Sequence, residues 1–191
     1  MTDKPQPRQI NGKTLTVYPM LLGLQPEEFK DKRLEFKDDL YYVVTYIEDP
    51  KVGYYIDPKN AVQHKSSLAD GIYLIVVMPP MPTIAYVRKS PYSAIQPKTK
   101  DLNVKKKGSN YRGHSSIAIG QNILFGGEAN FNQGKLKEWN NNTGHYKVGM
   151  EQSGNLSIQS HIEKQTQFLK NDQSQPLLPM SLFRPYKAHE I

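Results

Sequence analysis

Hydrophobic and polar positions along the chain follow two textures. Between Pro26 and Lys37, Phe29, Arg33 and Phe36 recur at helical spacing behind a proline suited to the first helical position and acids in the first turn, which predicts one short amphipathic helix. After Asp38-Asp39 the pattern turns β-branched and aromatic. Tyr41-Tyr-Val-Val-Thr-Tyr-Ile47 and Val52-Gly-Tyr-Tyr-Ile56 read as strands around the turn chemistry of Glu48-Asp-Pro-Lys51. Ile72 to Met78 is an apolar run of buried-strand length, ended by Pro79, Pro80 and Pro82 before a further strand over Thr83-Ile-Ala-Tyr-Val87. Ser115-Ser-Ile-Ala-Ile119 and Ile123-Leu-Phe125 are strand-like. Ala129-Asn-Phe-Asn132 and Lys135-Leu-Lys-Glu-Trp139 alternate apolar with polar around Gln133-Gly134, which is a hairpin signal. His145-Tyr-Lys-Val148 reads as a short strand leaving the Asn140–Gly144 turn cluster, and Ser160 to Lys170 as a second helix with a thin apolar stripe.

The expected fold class is α+β: a twisted, mostly antiparallel β-sheet with two or three peripheral helices in a single domain. Residues 1–13, polar and containing Pro5 and Pro7, are expected to be a flexible N-terminal arm; 14–172 form the domain; 173–191 form an extended, Pro-rich C-terminal strap.

Composition narrows the chemistry. In 191 residues there is no cysteine, which excludes disulfides, thiolate metal sites and a thiol nucleophile within the chain. No apolar run reaches the length of a membrane-spanning helix, and Met1 to Gln9 carries no apolar or amphipathic targeting pattern. The expected location is cytoplasmic, or outside the cell by a route independent of a signal peptide. The net charge of +7 is concentrated between Tyr86 and Arg112, where eight basic residues face Asp101 alone. That stretch is punctuated by Pro91, Pro97 and Gly108, and it reads as a long loop drawn to phosphate-rich or acidic partners.

The most chemically useful residues lie just beyond it. His114, Ser115, Glu128, His145 and Tyr146 are spread over three short segments, with 14 residues from His114 to Glu128 and 17 from Glu128 to His145. A glycine precedes each of His114, Glu128 and His145, and glycine permits close backbone approach. On neighbouring antiparallel strands these side chains would converge. Two imidazoles and a carboxylate, beside cations, can move protons and neutralise an oxyanion without metal or cofactor. The equally available structural reading has the same residues hydrogen-bonding turns. No metal-ligand spacing and no nucleophile elbow is present. His64, His161 and His189, in polar surroundings or in the tail, are expected to be bystanders.

The run Gly113-His-Ser-Ser116, Gly126-Gly-Glu128, the Gly134 hairpin and Asn141-Asn-Thr-Gly-His-Tyr-Lys147 resembles a domain of bacterial effector and toxin candidates. It is similar also to the conserved domain of plant IQ-motif-containing calmodulin-binding proteins. The resemblance spans about residues 70–150, with Thr143 where the family has Ser and Val148 where it has Pro. Ile158-Gln159 lacks the Arg-Gly and Arg that complete an IQ motif, so calmodulin binding is not carried over. What the resemblance implies is a site at His114, Ser115, Glu128, His145 and Tyr146, without a named reaction.

Three functions therefore stand as expectations. The first is an effector-like enzyme doing acid–base chemistry on RNA or on a dinucleotide such as NAD, with Lys105, Lys106, Lys107 and Arg112 holding phosphate. The second is a non-catalytic binding module whose basic loop docks an acidic protein partner or membrane surface. The third is an ADP-ribosyltransferase-like toxin.

Overall fold

A computed structural model describes residues 4–21, 42–47, 53–58, 67–90, 113–143, 146–171 and 173–186. The helix expected over Pro26–Lys37 and most of the basic stretch lie outside them. Nine strands are described, all paired antiparallel: β1 (Gln6–Ile10), β2 (Lys13–Val17), β3 (Tyr42–Ile47), β4 (Gly53–Pro58), β5 (Ser67–Leu68), β6 (Gly71–Met78), β7 (Met81–Lys89), β8 (Phe125–Asn132) and β9 (Lys135–Asn140). β1 and β2 form a hairpin of their own; the other seven make one sheet in the order β5-β4-β3-β7-β6-β8-β9. The protein is thus mostly antiparallel β.

β6 lies inside that sheet, between β7 and β8. Leu74 to Val77 are buried on both faces, which is why the strand reads as a continuous apolar run rather than an alternating one. Its Pro79-Pro80 link to β7 needs no ladder donor, and proline has none to give. The β8–β9 hairpin turns at Gln133 and Gly134, both with positive φ (46° and 78°), the conformation that matches the twist of the flanking strands. The sheet curls until its ends meet: Tyr54 N–H of β4 donates to Gly134 O at 2.7 Å, and the Tyr54 and Phe131 rings lie 5.3 Å apart.

Several local expectations are corrected. Residues 6–10, assigned to the flexible arm, pair along β2 through a turn at Asn11 and Gly12 (φ 47° and 75°), while Leu15 and Val17 of β2 enter the core. His114–Ala118 is one helical turn, α1, not a strand. Its end is fixed by Ile119 in the left-handed region (φ 52°), and it seals Ile117 and Ala118 inside, so packing overrides β-propensity. Helix α2 spans Asn155–Gln165, earlier than the expected 160–170, because Thr166 Oγ1 turns back onto Ile162 O and Phe168 and Leu169 fall in the turn that follows. Tyr146 and Lys147 belong to a turn, with Lys147 at φ 47°, rather than to a strand. No helix among the described residues is long and apolar enough to cross a membrane.

One buried amide holds the layers together. Gln165, 1% exposed, donates from Nε2 to Thr16 O and Leu124 O and accepts Thr16 N–H at Oε1, at 2.5, 2.8 and 3.0 Å. Every hydrogen-bonding position used ties α2 to β2 and to the entry of β8, as a buried polar group requires.

Candidate functional site

The residues singled out in the sequence are placed as follows. His114 is 6% exposed, and its Nε2 lies 2.7 Å from Gly127 O. A carbonyl oxygen only accepts, so Nε2 carries the hydrogen and the ring stitches α1 to β8. Ser115 is buried, and its backbone carbonyl accepts Gly120 N–H at 3.0 Å. Tyr146 is buried as well. Its hydroxyl donates to Gln121 O at 2.9 Å, and burial raises its pKa far above the ordinary tyrosine range. Glu128 is half-buried; its Oε2 accepts Asn142 Nδ2 at 3.4 Å, and its backbone N–H donates to Asn140 Oδ1 at 3.2 Å. His145, Lys105, Lys106, Lys107 and Arg112 lie outside the described residues.

His114 therefore meets β8 through the carbonyl of Gly127 and not through the Glu128 carboxylate, while Tyr146 is held at Gln121, elsewhere on the fold. The asparagine cluster is structural too. Asn141, fully buried, donates to Val148 O at 2.7 Å and accepts Tyr186 N–H at 2.8 Å, which locks the turn and the C-terminal strap to each other.

A different set of titratable groups converges. Tyr18, directly after β2, has its hydroxyl 2.5 Å from Glu151 Oε1, 2.5 Å from His161 Nε2 and 3.2 Å from Gly149 N. A phenol offers one hydrogen and two lone pairs. Gly149 N–H occupies one lone pair, and an ionised carboxylate must receive the hydrogen. His161 Nε2–H then donates to the second lone pair, which fixes its tautomer and leaves Nδ1 as the nitrogen that titrates. Three distant segments, the end of β2, the 149–151 turn and α2, are pinned at this one oxygen.

Exposure rises across the cluster in order. Tyr18 is sealed, the His161 side chain is 12% exposed and Glu151 37% exposed. Tyr18 is held well above its ordinary pKa, first by burial and then by its bond to Glu151. His161 is pushed down by burial; Glu151, 3.6 Å away, opposes that shift and Lys164 adds to it. Glu151 opens onto a cleft of about 280 Å³ whose apolar walls are Pro5, Pro19, Leu21 and Met150. His161, expected from its polar sequence neighbours to be a bystander, sits in this cluster. Its partners lie 143 and 10 residues away, so no local signal marks it.

The depressed imidazole gives a pH dependence of stability. The unfolded chain takes up its proton near pH 6.5, the folded protein only at lower pH, so stability is complete above about 6.5 and falls as the pH drops below it. Denaturant melts at pH 5 and 7.5 are expected to show this loss, and His161→Gln is expected to reduce the pH slope. At the other end, Tyr18 and Tyr146 ionise in the unfolded chain first, so stability declines above about pH 10.

Among the described residues, no group of three His, Asp or Glu side chains is disposed to hold a metal ion. The fold and the pinned cluster define a mostly β, antiparallel-sheet protein with a half-exposed carboxylate beside an apolar cleft. Comparisons with protein-family models, with curated proteins and with solved structures each returned no match.

Proposed function

We propose that the protein is a non-catalytic binding module whose basic segment, Arg88 to Arg112, docks a surface rich in carboxylates or phosphates. The observation that supports this reading is the fate of the acid–base candidates: His114, Ser115 and Tyr146 are buried, and His114 and Tyr146 are bound to carbonyls. Groups so engaged stabilise turns, as buried hydrogen-bonded side chains do. The concentrated charge is then the feature left to meet a partner. In the chain it lies between β7 and α1, both anchored to the interior strand β6. Such a segment supplies long-range attraction, and recognition is expected to weaken steeply with salt.

The test measures binding of the full chain to polyglutamate, to anionic vesicles and to RNA over a salt series. Binding to at least one of these should fall more than about tenfold from low to physiological salt, and further when Lys105, Lys106 and Lys107 are changed to Gln. Which probe binds best identifies the partner class. Absence of salt-sensitive binding to all three would overturn the reading, as would turnover of RNA or NAD by the purified protein.

A further inference from the structure

The carboxylate of Glu151 is half used. Oε1 accepts the Tyr18 hydroxyl and, at 3.3 Å, Gln152 Nε2, and lies 3.6 Å from His161 Nε2; Oε2 accepts no hydrogen bond among the described residues. Its orientation is set from behind, because Tyr18 is sealed and its own oxygen is saturated. An acceptor fixed in this way at the rim of an apolar cleft keeps a charge-assisted bond in reserve for an incoming donor.

We propose that this cleft binds a small organic ammonium ion with a short apolar body, and that Glu151 is its counter-ion. The walls, Pro5, Pro19, Leu21 and Met150, offer no charge, so they suit the apolar body. The volume of about 280 Å³ admits a chain of a few carbons. Lys147, exposed at the same rim and free of ion pairs among the described residues, repels positive charge and so weighs against a ligand carrying two. The ligand's ammonium group would compete with protonated His161 for the same carboxylate, so binding and protonation of His161 oppose each other. This site is independent of the basic segment and of its partner.

The test is a titration of the full chain with n-pentylamine, pentanoate and pentanol, followed by amide and imidazole NMR signals. Pentylamine should produce saturable shifts at Gly149, Met150 and Glu151 and should lower the pH at which His161 protonates. Pentanoate and pentanol should bind more weakly. Glu151→Gln, whose amide oxygen still accepts the Tyr18 hydroxyl, should weaken the amine at least about tenfold, the ratio for losing one charge-assisted bond. Lys147→Gln should leave the affinity equal or higher. The proposal fails if pentanol or pentanoate binds as tightly as the amine, if Glu151→Gln leaves affinity unchanged in a variant that keeps the wild-type spectrum, or if no saturable shift occurs.

Discussion

Trp139→Ala is expected to destabilise the protein by about 5 kcal/mol and to lower its Tm by on the order of 15 °C. Trp139 is fully buried between Phe125, at 5.7 Å and 77°, and Phe183, at 4.6 Å and 56°. Truncation leaves a cavity that two rigid rings cannot fill, which costs about 3–5 kcal/mol in comparable cores. The indole N–H also donates to Pro179 O at 2.8 Å, and an orphaned carbonyl adds about 1–3 kcal/mol. Trp139→Phe keeps a ring and should lose roughly half as much. The chain has a single tryptophan, so the variants must be followed by circular dichroism or calorimetry rather than by intrinsic fluorescence. A Tm within a few degrees of wild type would mean that the strap does not close over β9.

Gly127→Ala is the second large effect, expected at about 3 kcal/mol or more. A methyl group there would strike the Asn140 carbonyl oxygen, with the carbonyl carbon at 2.9 Å and Phe125 Cζ at 2.8 Å. The obstacle is the backbone of the neighbouring strand, so no rotamer change relieves it. β8 and β9 must part locally, and the carbonyl that His114 holds moves with them. Gly113→Ala is the matched control. No described residue lies within 4 Å of its added methyl, and its φ of −86° suits any residue, so the change should stay within about 0.5 kcal/mol. Thermal melts of the two variants make the comparison. Equal losses would show that the glycine at 127 is not required by strand packing.

These glycines also show how far the sequence could be read. Glycine before a polar residue suggests room for a ligand; at Gly127 that room is filled by the neighbouring strand. β6 was legible because a strand covered on both faces must be apolar throughout, and the Gln133-Gly134 hairpin because its turn demands positive φ. α1 was not legible, since one helical turn has too few residues to display a period and its Ser-Ile-Ala composition suits either state. Asn11-Gly12 carried a strong hairpin signal that the surrounding prolines and polar residues masked. The Tyr18–Glu151–His161 cluster had no linear signature at all. Its members lie 133 and 10 residues apart, and their meeting depends on where β2 and α2 pack.

The strap after α2 has a consequence beyond stability. Phe183 bridges Trp139 in parallel, and Arg184 N–H donates to Trp139 O at 2.8 Å, so the outward backbone of β9 at Trp139 is occupied by the same chain. At the opposite border β5 is only two residues long, too short to template a stranger. With β9 met by the strap at Trp139 and the other margin cut to two residues, the described sheet presents shortened edges to strand addition between molecules.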